Sequence, residues 1–332
     1  MVVASAPLVL PTREWTARER AHAAHADALT AGRRERRARG AKEPVEDFLF
    51  EYYPIKPGAL RRWHPGIGVA LAPDVDGTAD PGTAGPAAET PAASPAGLAE
   101  RASWRWYRSD EDGTLTLDVD AFLADRGDGV RWLHALLERT AARPAHLGCL
   151  GLHEWAMVYR QDTHRHPLPL RLGQAGTDAV VDAHPVRCSH FDAFRFFTPA
   201  AVPHNRIQPT RERQLELDQP GCLHVNMDLL KVAWKLGPAC PGELLLACFE
   251  LARDIRVLDM RASPYDVTGL GHAPVAIETA AGRAEYVAAQ RDFAERSAPL
   301  RRRLLGVTTA LLGAVAAGAD TLPSPAAATV RA

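Results

Sequence analysis

The sequence predicts a mainly α protein, a helical single domain with small β-hairpins, and three observations carry that expectation. The stretch "ELLLACFELARDIRVLDMRA" sets Leu244, Cys248, Leu251, Ile255, Leu258 and Ala262 at alternating steps of four and three, the spacing of one buried helix face. Thr12 to Gly40 is a long alanine- and arginine-rich run of good helix formers. "WRWYRSDEDGTLTLDVD" alternates in strand fashion around an Asp-Gly turn, which marks a hairpin between Trp104 and Leu117.

In chain order, residues 1–11 read as a disordered N-terminus and residues 12–306 as the helical domain. Thr12 is placed to cap the first helix, Glu14 sits in its first turn and Gly40 ends it. Its apolar stripe is thin, with Trp15, Ala21 and Leu29 among Ala, His and Arg. "PVEDFLFEYYP" is expected to be a second helix opening at Pro44, with Phe48, Leu49, Tyr52 and Tyr53 at helical spacing. Residues 72–100 are nearly all Ala, Pro, Gly, Thr and acids, and read as a disordered insertion in one fold. Further helices are expected from Gly129 to Ala142, over Leu147 to Arg160, and over "NMDLLKVAWKL" and "GRAEYVAAQRDFAERSAPLRRRLL". Two short strands are expected around "QAGTD", and residues 307–332 read as an apolar helix extension followed by a disordered tail.

The 332 residues are 46% apolar, with Lys+Arg 39 against Asp+Glu 40 and a net charge of −1, a balance that suits a globular chain. The basic runs "RRERRARGAK" and "LRRWHPG" nevertheless give one face the means to meet nucleic acid. Five cysteines, an odd count without a signal-like leader, point to a reducing cytoplasm. The apolar run Leu304 to Gly318 falls short of the roughly 20 residues that span a bilayer, so no membrane partner is expected.

Four groups of residues can carry chemistry. Cys188-Ser-His190 and Cys222-Leu-His224 each offer a thiolate and an imidazole, together a Cys2His2 set that would suit zinc, or a site for iron or haem; the competing reading is buried core. His153-Glu154 in "GLHEWAMVYR" can serve as acid and base, or as a buried histidine held by a carboxylate, and lacks the second histidine of HExxH. Asn226 and Asp228 suit a helix N-terminus, whereas Asp192, lying among Phe191, Phe194, Phe196 and Phe197, is either paired with Arg187 or Arg195 or poised for proton or cation chemistry. Arg253, Asp254, Arg256, Asp259 and Arg261 read as a solvated ion-pair lattice or as a phosphate-facing row. GxGxxG, Walker, GxSxG, CxxC and EF-hand patterns do not occur.

The segments "PVEDFLFEYYPIKPGALRRWHPG", "RCSHFDAFRFFTP", "QPGCLHVNMDLLKVAWKL" and "CFELARDIRVLDMRASPYD" together resemble a family of actinobacterial proteins commonly named 3-methyladenine DNA glycosylase. The resemblance covers most of the chain outside 72–100 and the two tails. It implies DNA as partner, no cofactor, and hydrolysis of the N-glycosidic bond of an alkylated purine flipped into an aromatic pocket. The Gly-rich helix-hairpin-helix with its downstream Asp does not occur here, so no catalytic residue carries over by position. The candidates are therefore sets: Asp192, Glu154, His153 or Asp228 for catalysis; Tyr52, Tyr53, Trp63, Trp155, Tyr159 and Phe194 for stacking; Arg33, Arg34, Arg36, Arg37, Arg61 and Arg62 for phosphates. The alternatives are a metal- or haem-dependent enzyme acting on a small molecule through Cys188, His190, Cys222 and His224, and a non-enzymatic helical scaffold.

Overall fold

A computed structural model describes residues 6–73 and 97–319 and shows the mainly α class. The elements are β1 (Leu8–Leu10), α1 (Thr12–Ala38), α2 (Phe48–Tyr52), α3 (Pro57–Leu60), β2 (Val69–Leu71), α4 (Leu98–Ala102), β3 (Tyr107–Ser109), β4 (Leu115–Leu117) and α5 (Val119–Ala141). They continue with α6 (Leu152–Ala156), α7 (Gly173–Ala183), α8 (Phe191–Phe194), α9 (Gln214–Leu217), α10 (Leu223–Met227), α11 (Leu229–Leu236), α12 (Gly242–Ala262) and α13 (Ala280–Ala319).

The helical core forms where α5, α11, α12 and α13 pack together. Helix α13 buries Tyr286, Gln290, Phe293, Ser297, Arg301, Leu304, Thr308 and Leu311, steps of three and four that make one stripe. Pro299 interrupts the hydrogen-bond ladder of α13 on its exposed side, which leaves that stripe intact. The expected stripe of α12 is buried as read, from Leu244 to Ala262. A small sheet of order β1-β2-β4-β3 closes one side, with β1 and β2 parallel and the other pairs antiparallel. The hairpin is the expected one, Tyr107 facing Leu117 and Ser109 facing Leu115.

Several boundaries differ from expectation for local reasons. Leu8–Leu10 are a strand rather than disordered, because they pair with Val69–Leu71 and complete the sheet. Thr12 gives its hydroxyl to the carbonyl of Ala72 at 3.0 Å, so it ties α1 to the sheet instead of capping the helix. Helix α5 starts at Val119, ten residues before Gly129, since Asp118 accepts from the Ala121 amide at 2.9 Å and caps it there. Within the stretch read as an insertion, 74–96 lie outside the described residues, but Leu98–Glu100 belong to α4. The "QAGTD" segment is helix α7, not two strands: its β-branched Val180 and Val181 are buried by packing against α6, which overrides their strand preference. The helix expected over Leu147 to Arg160 shrinks to α6, because Leu150 and Gly151 hold left-handed φ of 53° and 73°.

Helix α1 is fastened to the sheet side by a buried cation. Arg101 of α4 is fully enclosed, pairs with Glu19, donates to the Trp63 carbonyl at 3.0 Å and lies against the rings of Trp15, Trp63 and Trp104. Removing one partner would leave Glu19 charged in a dry site. Arg101→Ala is expected to lower the unfolding free energy by about 3–5 kcal/mol, whereas Arg18→Ala, which breaks the exposed pair with Glu14, should cost less than about 1 kcal/mol. Equal costs in denaturant melts would show that Arg101 is not the fastening.

Candidate active site

Helices α2, α6, α8, α10 and α12, with the 161–166 loop, surround a cavity of about 320 Å³. One wall is aromatic: Phe48 and Tyr52, one turn apart on α2, stack with centroids 5.2 Å apart, and Phe196 and Tyr265 add to it. Glu154, Asp192, His224, Arg165, His166 and Arg256 supply the polar part of the lining.

Under the floor lies a closed network. His153 and Asp259, both almost fully buried, meet at 2.9 Å from Nε2 to Oδ1. Arg256 donates from Nη1 to Asp259 at 3.1 Å and to Glu154 at 3.3 Å, lies 3.9 Å from the centre of the Phe48 ring, and reaches His166 from Nη2. Burial disfavours every charge here, and the partners decide which survive. Burial alone would raise the Asp259 pKa, but His153 and Arg256 hold it far below the ordinary carboxylate range. Burial would discharge His153, yet Asp259 and Cys149 raise its pKa well above normal. Glu154 goes the other way: burial first, then the Asp259 charge, push its carboxyl upward against the pull of Arg256. His224 is lowered by burial and by the charge on His153, and His166 is lowered to about 4 by burial and by Arg256 and Arg165.

A second network lies beside the first. His190 is completely buried, with Nδ1 3.1 Å from Asp218 and Nε2 3.7 Å from Asp228. Asp228 also accepts from the Tyr53 hydroxyl at 2.8 Å and faces Lys231 at 3.3 Å; Lys231 reaches Asp192 at 2.7 Å, and Arg195 approaches Asp192 at 3.3 Å. Burial would raise the Asp192 pKa, but Lys231, His190 and Arg195 outweigh it and lower the value. The rings of His153, His224 and His190 form a row joining the two networks, with centroids 4.5 and 5.6 Å apart.

The catalytic candidates thus come together only in part. Glu154 and Asp192 face the cavity, His153 lies beneath Glu154, and Asp228 is held behind by Tyr53 and Lys231. Of the six stacking candidates only Tyr52 lines the cavity. Tyr53 is turned to Asp228, Trp63 donates to Glu243, Trp155 to the Ala262 carbonyl, Tyr159 to Asp182, and Phe194 packs on Phe197. Most of the expected phosphate-binding arginines are engaged elsewhere: Arg33 and Arg36 pair with Asp47, Arg34 and Arg61 with Asp27, and Arg62 lies over Trp104, while Arg37 is exposed. Around the mouth a different set gathers, because a cleft of about 610 Å³ shares Tyr52, Arg165, Asp192 and Phe196 with the cavity and adds Arg126, Arg195, Arg211, Lys231 and Lys235. These cations are scattered singly along the chain, so no charge run announces them.

The Cys2His2 set does not converge. Among the described residues, the groups close enough to share an ion are His153, Glu154, His224 and Asp259, with donor atoms within 4.8 Å of one another, and His190, Asp192 and Asp228. Neither group contains a cysteine. In the first, Arg256 already donates to both carboxylates; in the second, Lys231 does the same. The protein's own cations therefore neutralise the charge that a metal would.

Comparison of the chain with family models, curated proteins and solved structures returns no match.

The His190 cluster makes stability depend on pH with a definite sign. Burial opposes the imidazolium, but Asp218 and then Asp228 raise its pKa above the ordinary value. The stabilisation from this ring is fully present below its unfolded pKa of about 6.5 and is lost as pH rises through the raised folded value. His190→Gln should narrow the stability difference from wild type as pH climbs through that window. A difference that is constant from pH 5 to 9 would contradict the assignment.

Proposed function

We propose that the cavity is the base pocket of a hydrolase that cleaves the N-glycosidic bond of a methylated purine such as 3-methyladenine in DNA. The observation that carries this reading is the pair of carboxyl groups in one cavity with environments that drive their pKa values apart, Glu154 upward and Asp192 downward. Such a pair divides the labour of glycosidic hydrolysis, one group as acid and the other as carboxylate.

In this reading Phe48 and Tyr52 stack on the extruded base, and Phe196, 36% exposed at the mouth, fills the gap that the base leaves in the helix. Glu154 donates a proton to a purine ring nitrogen as the bond to the sugar breaks. Asp192, kept ionised by Lys231, stabilises the positive charge on the sugar and takes a proton from the attacking water. Arg256 donates to Glu154 and Lys231 to Asp192, so each of the two carboxyl groups has its own cationic partner. The cations of the adjoining cleft would meet backbone phosphates.

Single-turnover excision from a duplex carrying one methylated purine tests this. Glu154→Gln and Asp192→Asn should each slow release of the base by about 100-fold or more while the chain stays folded. The rate in wild type should fall as pH rises through the raised value of Glu154 and fall again as pH drops through the depressed value of Asp192. Absence of excision by wild type, undiminished excision by both variants, or activity that is lost to a chelator and restored by metal would overturn the proposal.

A further inference from the structure

The same floor network extends away from the cavity to a cysteine. Leu150 and Gly151 are consecutive left-handed residues, a conformation that is strained for the leucine. The turn they make brings the Leu152 amide to 3.0 Å from the Cys149 carbonyl and starts α6 so that His153 falls four residues after Cys149. The result is a contact of 3.4 Å between Cys149 Sγ and His153 Nδ1, while Nε2 of the same ring is held by Asp259 at 2.9 Å. Thiol, imidazole and carboxylate stand in the order nucleophile, base, orienting acid.

Cys149 is the one cysteine of the five that is not fully buried. It lines a second cavity, of about 400 Å³, with Arg143, His146, Arg187, Ser189 and Gln219, and this cavity shares no lining residue with the first. Cys222 lines the same cavity, and Cys188, whose Sγ donates to the His190 carbonyl at 3.5 Å, lies behind it; the Cys188 thiol, then His153, draw the Cys149 pKa well below the ordinary range against the effect of burial. Cys188 is raised in return by its contact with Cys149 and by burial. A nucleophile for acyl transfer has no use for an adjoining thiol, whereas a sulfur that is oxidised and then resolved does.

We propose that Cys149, His153 and Asp259 form a second reactive site, at which Cys149 reduces a peroxide and Cys188 resolves the oxidised sulfur. The Cys149 sulfur attacks one peroxide oxygen, the O–O bond breaks, and the departing oxygen takes the Nδ1 proton of His153 to leave as water or an alcohol. Sulfur gives up two electrons and becomes sulfenic acid, and the peroxide gains them. The Cys188 thiol then displaces the sulfenic hydroxyl, which leaves as water with the thiol proton, and forms a disulfide that an external dithiol returns to two thiols. This inference does not depend on the base-excision reading, since neither the peroxide nor the second cavity enters that reaction.

The test uses the full chain treated with hydrogen peroxide and a sulfenic-acid-specific cyclic dione, followed by peptide mass spectrometry. In Cys188→Ser the dione adduct should accumulate on Cys149, and in wild type a Cys149–Cys188 disulfide should take its place. Adduct spread evenly over the cysteines, no adduct, or a disulfide between another pair would overturn the proposal. Alkylation of the unmodified protein by iodoacetamide gives a check that needs no variant: Cys149 should react at half its maximal rate well below the ordinary cysteine pKa of about 8.5. His153→Gln should shift that midpoint upward and slow alkylation at neutral pH by about tenfold. A wild-type midpoint at or above the ordinary value would contradict the activated thiolate whether or not the variant folds.

Discussion

The burial of the Asp259 carboxylate is the constraint on which the rest of the site depends. At 1% exposure it is cut off from water, and an uncompensated charge there would cost several kcal/mol. His153 from α6 and Arg256 from its own helix compensate it, and this fixes α6 against α12 although α6 is little more than one turn long. Because Asp259 takes two cationic partners, Glu154 is left with a share of one and with a negative neighbour. Its proton is therefore held more tightly than that of an ordinary glutamate. One buried charge thus raises the Glu154 carboxyl on the cavity side and, by keeping His153 charged, contributes to the ionisation of Cys149 on the other.

The second network obeys the same logic with different elements. His190 sits between Asp218 and Asp228, and Lys231 lies between Asp228 and Asp192, so acids and bases alternate from the core to the cavity wall. Asp192, the last acid of that chain, stays ionised although it is only 8% exposed, because Lys231, His190 and Arg195 outweigh the burial that would raise its pKa. The histidine row of His153, His224 and His190 separates the two networks with a neutral ring at its centre, which limits repulsion between the two charged ones.

Legibility followed the range of the interactions. Helix α12, α1 and the hairpin rest on local spacing and turn chemistry and were readable; α6 and α7 depend on packing against other segments and were not. Glu154, His153, Asp192 and Tyr52 could be singled out as unusual residue types in apolar surroundings. Arg256 and Asp259 could not, because a helix with Arg253, Asp254, Arg256, Asp259 and Arg261 looks like a solvated lattice until one knows which face is covered. In the fold Asp254 meets Arg296 and Arg261 meets Glu285 at the surface, while Arg256 and Asp259 turn inward beneath α6. The phenylalanines around Asp192 likewise do not form the dry wall that their clustering suggests. Only Phe197 is buried and only Phe196 lines the cavity, so the aromatic wall is built mainly from Phe48 and Tyr52, distant in sequence.

The central claim is that one cavity holds two carboxyl groups driven to opposite sides of their ordinary pKa values. Infrared difference spectra recorded across pH, wild type against Glu154→Gln and Asp192→Asn, follow the carbonyl stretch of each protonated carboxyl directly. The account predicts that the band removed by Glu154→Gln persists above the ordinary glutamate value of about 4.3, and that the band removed by Asp192→Asn appears only below the ordinary aspartate value of about 3.9. Coincident titration of the two groups, or the reverse order, would contradict it.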